Sequence, residues 1–492
     1  MKRTVFSLLY LFIMAGLFVA CDDDDDDMPV YGEAELVSFG FYAEDNQEVL
    51  LTDYVATSVG QEIRIALPDY VDKTALVARF EATENDVVTV GEEVQVSGET
   101  ANDFSTPVDY VVTEGTNNSM YTVVIDQLPD AVWGPLTSDA TNMREIVLKV
   151  NPANQLPYIG FVQSGETTDD YLAGVLALEE GVLAPLGGLA SEGRASGISL
   201  TFSPEGTPFI SFADFTAEVG QSMSAMTYNS GAWSYVGGES GKGITDVRMG
   251  NSEIVLKNDG NPFVFAMNNA AGALIRRELN ISEYDGSSWS TSVAMPGRAS
   301  DMIGYIQVSK NVNGVVYLTV YNQNVGSISV YSYADGAWTT LSDDYRDENS
   351  TGIHLRDLDM DVDADGNVYV AVADNALGDD VFRPKVMRLD AETGSWSNIG
   401  SAIDVDFATT REFSLALSPM GVPHLMFRDT NLFPAVVGFD EDAQDWTSPV
   451  VLSEVESSDL SMAFAANGVA YAIFTSANND QTNLYKYDVP VE

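Results

Sequence analysis

Three patterns of apolar and polar residues divide the chain. Residues 5–20 (VFSLLYLFIMAGLFVA) are almost wholly apolar and follow Lys2 and Arg3. Sixteen apolar residues are short for a membrane span, and the basic flank predicts a signal peptide over residues 1–20. From 30 to 130 the segments ELVSFGFYA, EIRIALP, ALVARFEA, VVTVG, DYVVT and YTVVIDQL alternate apolar with polar residues, the two-residue period of half-buried strands. Pro68, Gly91, Gly98, Gly115 and Asn117-Asn118 punctuate them. About a hundred residues with six or seven short strands predict a β-sandwich.

From 132 to 488 the pattern repeats. Trp133, Trp233, Trp289, Trp338, Trp396 and Trp446 all lie here, and Leu183 fills the slot in the one double-width gap. A second marker, a turn followed by an apolar strand, runs in step (EGTPFISF, DGNPFVFA, NGVVYLTV, DGNVYVAV), with glycines at 206, 260, 314, 366, 421 and 468 and Gln155 at the first place. A period near fifty residues with four short strands per unit predicts propeller blades, seven of them. The tryptophan slots precede the turn markers, and nothing follows the seventh marker but NLYKYDVP. The strand after Trp133 is therefore expected to complete the last blade and close the ring. The fold class expected is all-β, a β-sandwich followed by a seven-bladed β-propeller with its two ends paired. The tryptophans are expected to wedge between neighbouring blades.

Composition narrows the function classes. With 74 Asp+Glu against 23 Lys+Arg in 492 residues, the formal charge of −51 repels a phosphate backbone, so no nucleic-acid partner is expected. One Cys rules out disulfides within the chain and Cys-based metal clusters, and two His leave little room for a His-rich centre.

That Cys ends the stretch LFVAC, where Leu17, Ala20 and Cys21 resemble the lipobox of bacterial lipoproteins. The resemblance implies that Cys21 becomes the lipidated N-terminus, anchoring the chain to a membrane. Residues 21–29 then form a solvated acidic tether, Asp22 to Asp27, since adjacent carboxylates repel one another. Acidic residues behind such a Cys resemble the surface-export signal of some Gram-negative lipoproteins. This implies an outer-membrane location facing outside the cell. The string VTVGEEVQVSGETANDFSTPVDYVV (88–112) resembles Ig-like domains at the N-termini of surface lipoproteins, which act as spacers or accessory binding modules.

The candidate chemistry is sparse. DVDADG, with Asp361, Asp363 and Asp365, looks like a calcium loop, but its twelfth position is Val372 where a Glu is needed. An ordinary Asp-Gly turn is the preferred reading, no cofactor is expected, and calcium is the one weak candidate. SEYDGSSW (282–289) resembles the Asp box of sialidases, with its Asp displaced by one residue. That box is structural in its own family and implies a propeller, not an activity. His354 and His424 cannot supply a Ser-His-Asp set, and 74 acids give a carboxylate pair no specificity.

The arginines are more informative. Arg144, Arg194, Arg248, Arg298, Arg356 and Arg411 each stand 10 to 16 residues before the turn between strands A and B of their blade. They form a candidate ligand-binding ring around the channel mouth. Arg276, Arg277, Arg383 and Arg428 fall in B–C loops on the same face. Tyr345, His354, Phe382 and Phe433 are candidate stacking residues there. Two readings stand: blade-to-blade ion pairs, or a ring of planar donors for carboxylate or sulfate.

Surface lipoproteins of this layout resemble components of polysaccharide-utilisation systems. The preferred reading is non-catalytic binding of an extracellular polysaccharide, anionic by best guess. The alternatives are a propeller glycoside hydrolase or polysaccharide lyase using loop carboxylates, and a protein-interaction module of an outer-membrane complex.

Overall fold

The computed structural model describes residues 34–47, 49–83, 86–269, 277–290, 293–294, 303–353, 358–478 and 481–490. Cys21 and the acidic tether lie outside the described residues, as do Arg276, Arg298, His354 and Arg356. Apart from two short segments, the chain divides at Asp126 into two compact units.

The first unit is built from two antiparallel sheets. One joins Leu36–Phe41 and Leu76–Ala82 with shorter flanking strands, and the other joins Glu62–Leu67, Asn117–Gln127, Val108–Glu114 and Val87–Val90 with a short edge strand. Its core is aromatic. Phe39, Phe41, Phe104 and Tyr110 are buried, with Phe39 edge-on to Tyr110 at 5.1 Å and Phe41 edge-on to Phe104 at 4.9 Å. Alternation explains the arrangement: Ile63, Ile65 and Leu67 point inward while Glu62 and Arg64 point out.

The second unit is a propeller of seven sheets. Innermost strands A are Met143–Val150, Ala195–Phe202, Met249–Leu256, Ile303–Lys310, Asp359–Val362, Phe413–Leu417 and Ser457–Phe464. Blade two continues outward through Pro208–Asp214, Ser222–Asn229 and Ala232–Tyr235, each antiparallel to the last. Strands B are buried along their whole length in blades three, four, five and seven, because a neighbouring blade covers each sheet face. The turn from A to B needs a left-handed residue. Gly206, Gly260, Gly314, Gly366, Gly421 and Gly468 supply it at φ 79–88°, and Gln155 takes the same place in blade one at φ 59°.

The seventh blade takes its outer strand from the start of the unit. Val132–Asp139 pairs antiparallel with Thr482–Asp488, with Trp133 opposite Tyr487. The two ends of the propeller segment thus close the ring, the first strand serving as the outer strand of the last blade.

The tryptophans lie at the outer rim between blades. Trp233 donates its indole N–H to the Leu186 carbonyl of the preceding blade (2.8 Å), Trp289 to Val236 (3.0 Å), Trp396 to Ser342 Oγ (2.8 Å) and Trp446 to Ser401 (2.9 Å). Each ring fills a gap between sheets while its one polar group is satisfied.

Backbone N–H groups of the inner strands find acceptors in a single direction. Strand A has no partner on its channel side, so its edge N–H groups need acceptors. The preceding blade provides them. Glu145 accepts from Gly197 (2.5 Å), Ser199 from Ile254 (3.2 Å), Asp359 from Leu415 (2.7 Å), Asp361 from Leu417 (2.9 Å), Ser414 from Met462 (3.1 Å) and Ser461 from Leu148 (2.9 Å). Each contributes about 1 kcal/mol, more where the acceptor is a carboxylate.

Candidate functional site

Strands A start, and strands B end, on one face of the propeller. The arginines gather there. Arg144 is the second residue of its strand A, Arg194 and Arg248 immediately precede theirs, and Arg411 lies two residues before its own. Arg428 ends strand B of blade six, Arg383 opens strand C of blade five, and Arg277 lies just before strand C of blade three.

The arginines differ in what they touch. Arg277 donates to the Ile303 and Gly304 carbonyls at 2.9 and 2.8 Å, fastening blade three to blade four. Arg428 donates to the Thr410 carbonyl and, at 2.6 Å, to that of Ser457, fastening blade six to blade seven. Arg383 is ion-paired with Asp379 at 2.8 Å and Asp404 at 3.1 Å. These three hold loops and blades together.

The ring arginines make lighter contacts. Arg144 lies over the Tyr171 ring at 4.8 Å and 3.5 Å from Glu145. Arg194 lies over Phe215 at 4.1 Å. Arg248 is exposed and donates to Gln221 Oε1 at 2.6 Å, and Arg411 donates to the Ala408 carbonyl at 3.1 Å. Among the described residues, Arg194, Arg248 and Arg411 form no ion pair with a carboxylate, although acids outnumber bases threefold in the chain.

The ring is not one repeated position. Strands A and B end in the pairs Val150–Pro157, Phe202–Pro208, Leu256–Pro262 and Leu417–Pro423. Counted back from these, Arg194 and Arg248 both stand eight residues upstream, and Arg144 and Arg411 six. The backbone agrees: the residue after strand B donates its N–H to the arginine carbonyl in both blade two (Phe215 to Arg194, 3.0 Å) and blade three (Asn269 to Arg248, 2.8 Å). In blade one the corresponding bond goes from Ser164 to Asn142. Spacing from the turn had merged two distinct places.

The candidate stacking residues are occupied by the fold. Tyr345 stacks on Trp396 with centroids 4.6 Å apart and planes at 14°, and Phe382 packs against the core of blades five and six. Phe433 is half-buried in a turn whose N–H groups are capped by Asp429. His424, on strand B of blade six, packs on Phe464 at 4.7 Å, and burial pushes its imidazole down to about 4. The residues of DVDADG point apart: Asp361 binds Leu417 N–H across the channel wall, while Asp363 receives the Asn367 N–H and side-chain amide and so holds the A–B turn. Among the described residues no three His, Cys, Asp or Glu side chains are placed to hold a metal ion. Asp285, in the Asp-box string, receives the N–H groups of Ser287 and Ser288, which pull its carboxyl down to about 2.

The channel itself carries groups that sequence reasoning missed. A cavity of about 440 Å³ is lined by strands A, with Lys149, Glu253, Asp359 and Asp361 facing it. Crowding by the converging strands pushes Glu253 up to about 7 and Asp359 up to about 6, against the opposing pull of Lys149. Nearer the mouth lie Glu412 and Asp459, on the neighbouring blades six and seven. Burial, then the Asp459 charge, pushes Glu412 up to about 8, while Arg428 and Arg411 oppose the shift. Glu145 is raised, chiefly by burial.

Among the described residues no helix is long and apolar enough to cross a membrane. Residues 51–125 match the family model described as SGBP, N-terminal, where SGBP denotes surface glycan-binding protein. No curated protein matches the chain. Similar solved structures include an ulvan lyase of a polysaccharide-lyase family, bound to a GlcA–Rha3S unit. It shows 10% identity and TM-score 0.47, over 73% of this chain and 96% of that one. Another is an α-L-arabinanase of Penicillium chrysogenum complexed with arabinobiose, at 9% identity and TM-score 0.41, over 60% and 94%. A third is a DUF4623 family protein from Bacteroides eggerthii, at 10% identity and TM-score 0.36, over 94% and 99%. Over residues 51–125, then, this all-β chain is similar to the N-terminal part of surface glycan-binding proteins.

Proposed function

We propose that the chain is a lipid-anchored protein of the cell surface whose propeller binds an extracellular polysaccharide without cleaving it. The observation that carries this reading is the match of residues 51–125 to the SGBP N-terminal family. The lipobox-like residues ending in Cys21 and the acidic tether support the surface location. An anionic polysaccharide fits best, because two guanidinium groups without carboxylate partners among the described residues, those of Arg194 and Arg248, share the channel-mouth face. The net negative charge does not forbid this. Beyond a Debye length of roughly 8 Å at physiological salt, remote carboxylates are screened and the local arginines dominate.

The test is a glycan array probed with the full chain, run beside a reducing-end assay on every polysaccharide retained. Retention without new reducing ends supports the proposal.

One observation favours a catalytic reading. Glu412, pushed up to about 8 by burial and the Asp459 charge at the channel mouth, has the character of a general acid. In that case the reducing-end assay shows product, and Glu412→Gln abolishes it.

A further inference from the structure

The glycan-binding reading leaves open which of the arginines meet the ligand, and the contacts of the mouth face divide them. Arg277 and Arg428 spend their N–H groups on carbonyls of the next blade, and Arg383 is closed by two carboxylates. Arg144 has Glu145 at 3.5 Å. Arg346 is embedded in the acidic string DDYRDE. Arg194 and Arg248 differ from all of these. They occupy equivalent positions in adjacent blades, and their carbonyls are fixed by the same backbone bond, from Phe215 and Asn269.

Their side chains are held by neutral groups alone. The Arg194 guanidinium lies over the Phe215 ring at 4.1 Å, a cation–π contact that steadies the group without neutralising its charge. The Arg248 guanidinium is steadied by one bond to the Gln221 amide oxygen. Carboxylates are near in sequence, at Glu218 and Asp246, yet neither pairs with these arginines, and Lys242 takes up Glu192 at 2.7 Å. In a chain this acidic, two guanidinium groups on adjacent blades, oriented by neutral partners, are prepared for a planar anion brought from outside.

We infer that carboxylate or sulfate groups of the polysaccharide are bound at the rim of blades two and three by Arg194 and Arg248, and not by a complete ring of arginines. This rests on the polysaccharide-binding reading above. Each arginine forms charge-assisted hydrogen bonds to the anion. Losing one weakens binding roughly tenfold, and losing both weakens it roughly a hundredfold.

Affinity electrophoresis of the full chain through gels containing polygalacturonate, dextran sulfate or uncharged dextran tests this. The variants are Arg194→Ala, Arg248→Ala, the double alanine variant, the double Arg→Lys variant, and Arg388→Ala as a control from strand C. Melting temperatures verify folding, and the lysine pair preserves charge should the alanine pair fail to fold. The expected result is that a polyanion gel retards the wild type and Arg388→Ala, that the alanine pair runs free, and that the lysine pair falls between them. Wild-type retardation with equal retardation of both double variants overturns the assignment to these two arginines and leaves the polysaccharide reading standing. No retardation of the wild type in any of the three gels counts against the polysaccharide reading itself. Retardation by uncharged dextran alone removes the anionic ligand and this inference with it.

Discussion

Trp133 stands opposite Tyr487 in the closing sheet, with ring centroids 5.3 Å apart, although 354 positions separate them in the chain. Trp133 also packs against the core shared by blades six and seven. Replacing it with alanine removes both of these contacts from the strand that closes the ring. Trp133→Ala is expected to lower unfolding free energy by about 2–4 kcal/mol, read by urea denaturation. A loss below about 0.5 kcal/mol would show that closure does not depend on this pair.

The rim tryptophans allow packing to be separated from hydrogen bonding. Trp233→Phe keeps most of the apolar area but removes the N–H that Leu186 accepts. The expected loss is about 1–2 kcal/mol, from the bond together with the smaller ring, whereas Trp233→Ala costs about 3 kcal/mol or more. Denaturation curves of both variants check the ordering.

Arg428 is predicted to be structural. Arg428→Met keeps the length of the side chain but strips donors from the carbonyls of the buried Thr410 and Ser457. A destabilisation of about 2–3 kcal/mol follows. An unchanged melting temperature would refute the tie between blades six and seven.

The channel acids give a pH dependence of definite sign. Glu412, Glu253 and Asp359 have folded-state values raised to about 8, 7 and 6. Between the ordinary carboxylate range and these values the folded chain binds more protons than the unfolded one. Stability from these groups is therefore full below about pH 4 and declines as pH rises toward 8. His424 acts in the opposite sense, since its depressed value costs stability as pH falls from 6.5 toward 4. The double variant Glu412→Gln, Glu253→Gln should flatten the decline between pH 5 and 8, as measured by melting temperature across that range. An unaltered slope would mean the channel carboxyls titrate as ordinary acids.

Much of the fold was legible because it rests on residues with one dominant role. A tryptophan at six of the seven outer-strand slots and a left-handed glycine at six of the seven A–B turns repeat with the blades, with Leu183 and Gln155 in the blade-one places, so counting from Trp133 to Gly468 sufficed to predict seven blades and their closure. The arginines were harder. Strand A is bulged in several blades, between Arg144 and Val147, Ser196 and Ser199, and Gly250 and Ser252, and the turn of blade one is one residue longer than that of blade two. Those shifts leave spacing intact to within two residues yet move a side chain from the rim to the strand. The channel carboxylates were hidden by abundance. Among 74 acids, Glu253 and Asp359 are recognisable only as charges on an innermost strand, where they cap the next blade or face the cavity.

The central claim is that the propeller holds an extracellular polysaccharide and leaves it whole. It is tested most directly by incubating the full chain with size-defined polygalacturonate and dextran sulfate and following co-elution and polymer mass by light-scattering chromatography. The account predicts that protein and polymer travel together while the polymer keeps its mass. Shortened polymer, or protein that elutes alone from both, would contradict it.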